Sequence, residues 1–232
     1  MGETLATQAV FLTGGTGYMG RRLIARLLER GHAVRALVRP GSERKPGLER
    51  SGPAVCTIVV GDALDNASYS AQVPPATTFV HLVGVSHPSP WKAEQFRAVD
   101  FVSAQAAIAA SFDAGIRHFV YVSVAHPAPA MRAYIEVRSE CEALIRASGL
   151  NATILRPWYV LGPGHLWPYL LLPVYWLFER LPATSDGAKR LGLVTLDQML
   201  GALVAAIENP SEGVRVYEVP DIRRLGTVPS GL

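Results

Sequence analysis

Cysteine is scarce in this sequence. Cys56 and Cys141 are the only two, and they stand far apart. They offer no metal-type spacing and no disulfide framework. They read as two reduced, buried thiols of a cytoplasmic protein, with a disulfide as the alternative. Charge is thin too, at 18% of residues against 49% hydrophobic. That excludes a disordered chain and suits one globular unit. The first residues, MGETLATQAV, lack a basic stretch leading into an apolar one, so no signal peptide is expected. No internal repeat of solenoid length is present. The longest strongly apolar uncharged stretch, residues 166–178, is interrupted by Pro168 and Pro173 and is too short to cross a bilayer.

Acids are what the first fifty residues lack. Nine Lys and Arg face four Glu there, whereas the whole chain carries only +3. Such a surplus serves either nucleic acid or a phosphate-rich small cofactor. No helix concentrates base-reading side chains, so nucleic acid is not an expected partner.

What is present is an alternation of two periods. Short apolar runs at residues 9–13, 33–38, 57–60, 78–83, 118–122 and 152–155 read as buried strands. Helical spacing appears at residues 18–30, where Met19, Leu23, Ile24, Leu27 and Leu28 share a face, and at 93–114 and 131–148. Gly31 and Gly149 stop two of these helices. Residues 40–53 are breaker-rich and read as a loop or short ragged helix. Near-continuous apolar strands joined by crossover helices mean an α/β fold with a doubly wound parallel sheet. After residue 156 the rhythm breaks. It resumes with a strand edge and helix at 193–206 and a last strand at 214–219. The expected organisation is a dinucleotide-binding Rossmann core, 1–156, with a small substrate-side extension, 157–232, packed on it.

TGGTGYMG, Thr13 to Gly20, joins the first strand to its helix. Gly14 permits the tight turn, Gly17 lets a pyrophosphate approach the backbone, and Gly20 lets helix and strand pack closely. Thr16, Tyr18 and Met19 fill the same loop, and the helix start offers free N–H groups to phosphate. At the end of the second strand an acid would bind a ribose hydroxyl, and an Arg would accept a 2′-phosphate. The residue there is Arg39, with Arg21 able to help. The expected cofactor is therefore NADP, with NAD as the alternative; solvated surface arginines are the bland reading. Asp62, beside Ala63 in GDALD, is placed to meet the adenine, or else caps a helix beginning near Leu64.

The glycine loop, GDALD, YVSV at 121–124, Tyr134 four before Arg138, and ILRPWYVLGPG at 154–164 occur in that order. Together they resemble the short-chain dehydrogenase/reductase superfamily, in its atypical branch that is NmrA-like or like a complex I accessory subunit. The resemblance covers residues 9–165. It implies that Ser123 binds the substrate carbonyl and Tyr134 moves the proton. Arg138 stands where the family's Lys holds the nicotinamide ribose and lowers the Tyr pKa. The stretch His81–Ser86, with Val83 and Gly84, would line the cofactor. Pro157, Tyr159 and Val160 would flank the nicotinamide.

Charge that builds on a carbonyl oxygen during hydride transfer needs a proton donor in reach. Tyr ionises near 10 and needs a cation beside it, which Arg138 can supply one helical turn on. Arg cannot relay a proton. The bland reading makes Tyr134 a packing residue and pairs Arg138 with Glu142 or Glu136. His81, His87 and His126 read as polar residues of C-terminal strand-end loops, with His87 or His126 as candidate substrate contacts; they show no metal spacing, so no metal is expected.

The aromatic-rich stretch 165–182 has three readings: a cap over the substrate cleft, which implies an apolar small-molecule substrate; an oligomer or membrane-surface contact; or plain core. A monomer or homodimer is expected. The function read here is an NADP(H)-dependent oxidoreductase acting on an apolar carbonyl or quinone. A non-catalytic NADP(H)-binding sensor or assembly protein is the alternative. A sugar-nucleotide epimerase or dehydratase ranks below both, because the C-terminal part is small.

Overall fold

The computed structural model describes residues 7–43, 55–128, 130–163 and 191–227. The apolar stretch 166–178 and most of the expected loop 40–53 lie outside the described residues.

Seven strands form one parallel sheet. In chain order they are β1 (Ala9–Thr13), β2 (Ala33–Val38), β3 (Cys56–Val60), β4 (Thr78–His81), β5 (His118–Val122), β6 (Ala152–Leu155) and, past a separate β7 (Tyr159–Leu161) and β8 (Leu193–Thr195), β9 (Val214–Tyr217). The spatial order is β3-β2-β1-β4-β5-β6-β9, and β7 pairs with β8 in a two-stranded ladder. The doubly wound α/β reading thus holds. The sheet draws its last strand from beyond residue 156.

Alternation along β1 feeds both faces. Val10 and Leu12 meet α1 (Tyr18–Glu29), whose Leu23, Ile24, Leu27 and Leu28 are buried against them. Phe11 points the other way, into a row of rings. Parallel register sets Phe11 beside Phe79 and Phe79 beside Phe119, with centroids 5.1 and 5.5 Å apart. Over this row lies α2 (Val102–Asp113), which presents Ala104, Ala107 and Ala110. Small side chains let the helix sit close on wide rings, so large and small interdigitate. α3 (Arg132–Ala147) completes this face with Val137, Cys141 and Ile145. Cys56 and Cys141 are both free thiols.

Three elements differ from the sequence reading. The helix expected at 93–114 is not uniform: a short turn, Ala93–Gln95, leads into a π-helical stretch, Phe96–Phe101, before α2 begins. The wider π turn carries Asp100 inward, where it is buried. The last strand stops at Tyr217, and Val219–Gly226 is a helix, called α5 below; α4 (Leu196–Glu208) precedes it. Glu218 caps α5 in a capping box with Asp221, and Pro220 fits its first turn, where no N–H is needed. β7 was too short to show a period.

His81 is buried in β4, not in a loop. Its Nδ1 lies 2.9 Å from the Thr13 hydroxyl and its Nε2 3.3 Å from that of Ser103. The Ser103 hydroxyl is also within reach of the Asp100 carbonyl, at 3.2 Å. Burial, with Arg138 nearby, lowers the His81 pKa to about 3, so the ring is neutral.

On the far side, Glu208 ends α4 and ties it to α1. Arg30 donates to it through two nitrogens at 2.7 and 2.9 Å, and His32 Nε2 lies 3.0 Å away. Burial alone would raise the Glu208 carboxyl, but hydrogen bonds from Arg30 and His32 outweigh it and hold the group below 4.5. A depressed carboxyl contributes stability above its unfolded value and loses it as pH falls through the folded one. Glu208→Gln is therefore expected to cost about 2 kcal/mol at neutral pH, with the gap to wild type shrinking as pH drops below about 4.5. Urea unfolding across that range checks it; a gap that widens on acidification contradicts the assignment.

Candidate functional site

The sheet reverses its winding between β1 and β4, and a cleft of about 550 Å³ opens at the C-terminal ends of these strands. Its floor is the glycine loop. Gly14 takes a left-handed φ of 77°, and a side chain there would press on the Leu82 backbone at 3.0 Å. Gly17 N–H donates to the Gly14 carbonyl at 3.0 Å, closing the turn. A Cβ on Gly20 would run into the same carbonyl, so α1 can start this close to β1 only with glycine there. Gly17 is the helix N-cap and no acid occupies the first turn. Its open N–H groups and positive dipole end face the cleft.

Most of the residues singled out for the cofactor meet here. Gly14, Thr16, Gly17, Tyr18, Met19, Gly20, Arg39, Asp62, Ala63, Val83 and Gly84 line the cleft. Leu82 and Ser86, from the expected His81–Ser86 stretch, line it too, and Leu37, Gly61, Leu64 and Val99 join them unforeseen. Arg21, Arg138, Pro157, Tyr159 and Val160 are not among the lining residues. Tyr159 and Val160 belong to β7, and Val160 packs on the α1-side core. Arg21 sits in the first turn of α1 with its Nε buried and without a hydrogen-bond partner. A glycine cradle and an uncapped helix start suit a pyrophosphate-bearing group. Arg39 is exposed at the end of β2, where its carbonyl accepts from Ser42 N–H to close a turn. Asp62 accepts from Leu64 N–H at 3.0 Å. The helix it was expected to cap is replaced by two short 3-10 turns, and Asp65 caps the first of them.

Beside the cleft, α3 carries two buried ionic clusters. In one, Ser123, 3% exposed at the end of β5, donates to Glu142 Oε1 at 2.6 Å. Arg156 grips the same carboxylate at 2.9 and 2.5 Å and donates to Glu218 at 2.8 Å. His126 Nε2 stands 3.5 Å from Glu142. Burial would raise Glu142, but the Arg156 and Ser123 hydrogen bonds prevail and hold it below 4.5.

In the other cluster, Arg138 is buried and pairs with Asp100 at 2.6 Å, not with Glu142 or Glu136. Its Nη1 donates to the Val122 carbonyl at 2.9 Å and the Tyr121 hydroxyl at 3.1 Å. Its guanidinium lies 5.2 Å from the centre of the Tyr134 ring, which also packs on Phe96 at 5.0 Å. The structure thus brings Tyr134 and Arg138 together and turns the Ser123 hydroxyl toward Glu142. Tyr134 was expected to have a lowered pKa. It is raised: burial is the largest effect and Arg138 offsets it only in part.

Asp100, Glu142, Arg156 and Glu218 were missed as functional neighbours. Two had a signal: an acid, Asp100, leading straight into the alanine-rich FVSAQAAIAAS run, and an Arg closing the apolar strand ILRP. Among the described residues no group of three or more His, Cys, Asp or Glu could hold a metal. No helix among them is long and apolar enough to cross a membrane.

Comparison with known proteins agrees with this geometry. A family model for NAD(P)H-binding matches residues 14–163. A ceramide reductase of Caulobacter vibrioides is 30% identical over 228 residues, covering 96% of this chain and 68% of the relative. An uncharacterized sugar epimerase, YhfK, of Bacillus subtilis is 30% identical over 222 residues, covering 91% and 94%. Among solved structures, the Bordetella bronchiseptica enzyme WbmH in complex with NAD+ superposes with a TM-score of 0.67 at 22% identity, covering 92% of this chain and 76% of that one, a likeness of fold. With its glycine loop, seven-stranded parallel sheet and matched family model, the chain belongs to the NAD(P)H-binding family of atypical short-chain dehydrogenases/reductases.

Proposed function

We propose that this chain is an NADP(H)-dependent oxidoreductase that moves a hydride between the nicotinamide and a small apolar carbonyl or quinone. The observation that carries the reading is the cleft: a glycine cradle at one end of a rim that ends β2 on Arg39 rather than an acid. A guanidinium there suits a 2′-phosphate by charge and by its planar fork. The name of the Caulobacter relative, ceramide reductase, couples reduction to an apolar substrate and supports that part of the proposal.

The bound nicotinamide would supply or take the hydride. Tyr134 hands a proton to the substrate oxygen, and its raised pKa suits it to the acid rather than the base role at neutral pH. Arg138, cationic beside the Tyr134 ring, favours the phenolate that remains. Ser123 reaches the substrate oxygen by turning away from Glu142, at a cost of about 1.5–3 kcal/mol for one hydrogen bond to a charged group. Glu142 keeps Arg156 throughout, so no buried carboxylate is stranded.

One observation favours a second reading, a non-catalytic NADP(H)-binding sensor or assembly protein. Ser123 and Arg138 already have protein partners, Glu142 and Asp100. A site built only to hold a dinucleotide would look the same.

Nucleotide choice is tested by titrating the protein with NADPH and NADH, following nicotinamide fluorescence. NADPH should bind at least about ten-fold more tightly, and Arg39→Asp should erase that preference. Equal affinity in wild type sinks the NADP assignment. Catalysis is tested on ketones, quinones and UDP-sugars. Tyr134→Phe should cut turnover by about 10²–10⁴ while leaving NADPH affinity within a few-fold. Turnover that survives the change removes Tyr134 from the proton-donor role. Tight NADPH binding with no turnover on any substrate favours the sensor reading.

A further inference from the structure

Arg138 stands where a cofactor-holding cation is expected, yet both terminal nitrogens of its fork are spent inside the protein, and the buried Nε alone lacks a partner. Nη2 pairs with Asp100 Oδ1 at 2.6 Å. Nη1 donates to the Val122 carbonyl at the end of β5. The second oxygen of Asp100 accepts the Val85 N–H at 2.9 Å. Gly84, between those attachments, lines the cleft, and a Cβ on it would land on the Arg138 guanidinium. The guanidinium therefore fills the space behind the cleft wall at Gly84.

We infer that Asp100 and Arg138 are a positioning pair: they clamp the Val83–Val85 wall of the dinucleotide cleft from behind, and Arg138 serves the cofactor through that wall rather than by touching it. The inference rests on the cleft being a dinucleotide site. It also accounts for Arg in place of Lys. A clamp joining an acid on the π-helical stretch to a carbonyl on β5 needs two donors held a fixed distance apart. A guanidinium has that geometry; an ammonium is one point. The π turn supplies the matching half, because it aims Asp100 inward at the Arg138 fork and the Val85 amide together.

Direct contact and action through the wall make opposite statements about coupling. If Arg138 touches the cofactor, losing it costs the same whatever occupies position 100. If it acts through Asp100, the loss hurts mostly because a buried carboxylate is left alone, and neutralising that carboxylate repairs it. Asn at position 100 can still accept from Val85 N–H.

The experiment is a double-mutant cycle read as NADPH affinity by fluorescence titration. The proteins are wild type, Asp100→Asn, Arg138→Met and the double variant Asp100→Asn/Arg138→Met. Each single change should weaken NADPH by at least about ten-fold, and the double variant should bind at least about ten-fold better than Arg138→Met. Additive losses overturn the pair and return Arg138 to the cofactor; single variants that bind as wild type overturn the pair and show that Arg138 does not hold the cofactor in any way. Should Arg138→Met fail to fold, the double variant decides alone: binding within about ten-fold of wild type upholds the pair, and a larger loss overturns it. A folded wild-type chain that binds neither NADPH nor NADH sinks the dinucleotide reading, whereas additive variants of a binding wild type sink only the pair.

Discussion

The whole site depends on one topological constraint. β1 and β4 are neighbours in the sheet, but the connection leaving β1 turns to one face and that leaving β4 to the other. Where two parallel neighbours part company, nothing covers their carboxyl ends, and a cleft is unavoidable. The glycines of the first connection then decide how near a ligand can come, and the wall after β4 decides the shape of the other side. α1 and α4 fill one face, α2 and α3 the other, so both halves of the cleft are backed by core.

Behind the second half lie charges that the hydrophobic effect alone would expel. Asp100 and Arg138, and Glu142 with Arg156, are taken from water and must repay that cost by geometry. Asp100–Arg138 joins two helical segments, and other bonds these groups make join helix to strand end: α3 to β5 through Ser123 and the Val122 carbonyl, α3 to β6 through Arg156, and the π-helical stretch to the wall after β4. Apolar contacts glue these layers without setting their register. The ionic contacts add direction where direction matters, next to the cleft.

What could be read from the sequence follows from distance along the chain. Gly14, Gly17 and Gly20 act within one turn, so their spacing carries their meaning, and most of the cleft was named from them. Periodicity found the main strands and α1 because each is decided by its own alternation. Arg138 shows the limit. Its neighbours in sequence, Glu136 and Glu142, were the candidates weighed, while the partner it found is Asp100, brought near only by packing of helices. Ser123 was matched by motif, but a motif cannot show which way a hydroxyl turns; Glu142 settles that across nineteen residues. The raised Tyr134 pKa is a contest between burial and a cation, and burial is a property of the assembled fold. β7 and the helix after β9 were missed, whereas β8 was read as a strand edge; three residues show no period, and Pro220 reads as a stop when it is a start.

The seat of β9 has a consequence for how the molecule comes into being. This strand lies beside β6 and, through Glu218, completes the grip on Arg156. Ribosomes deliver it long after β6. Until it emerges, β6 presents an unpaired row of amides and carbonyls flanked by Ala152 and Ile154, the sort of border on which another chain can add itself. Synthesis therefore passes through an interval in which β6 stands at the margin in place of β9 and the Arg156 cluster has one partner too few.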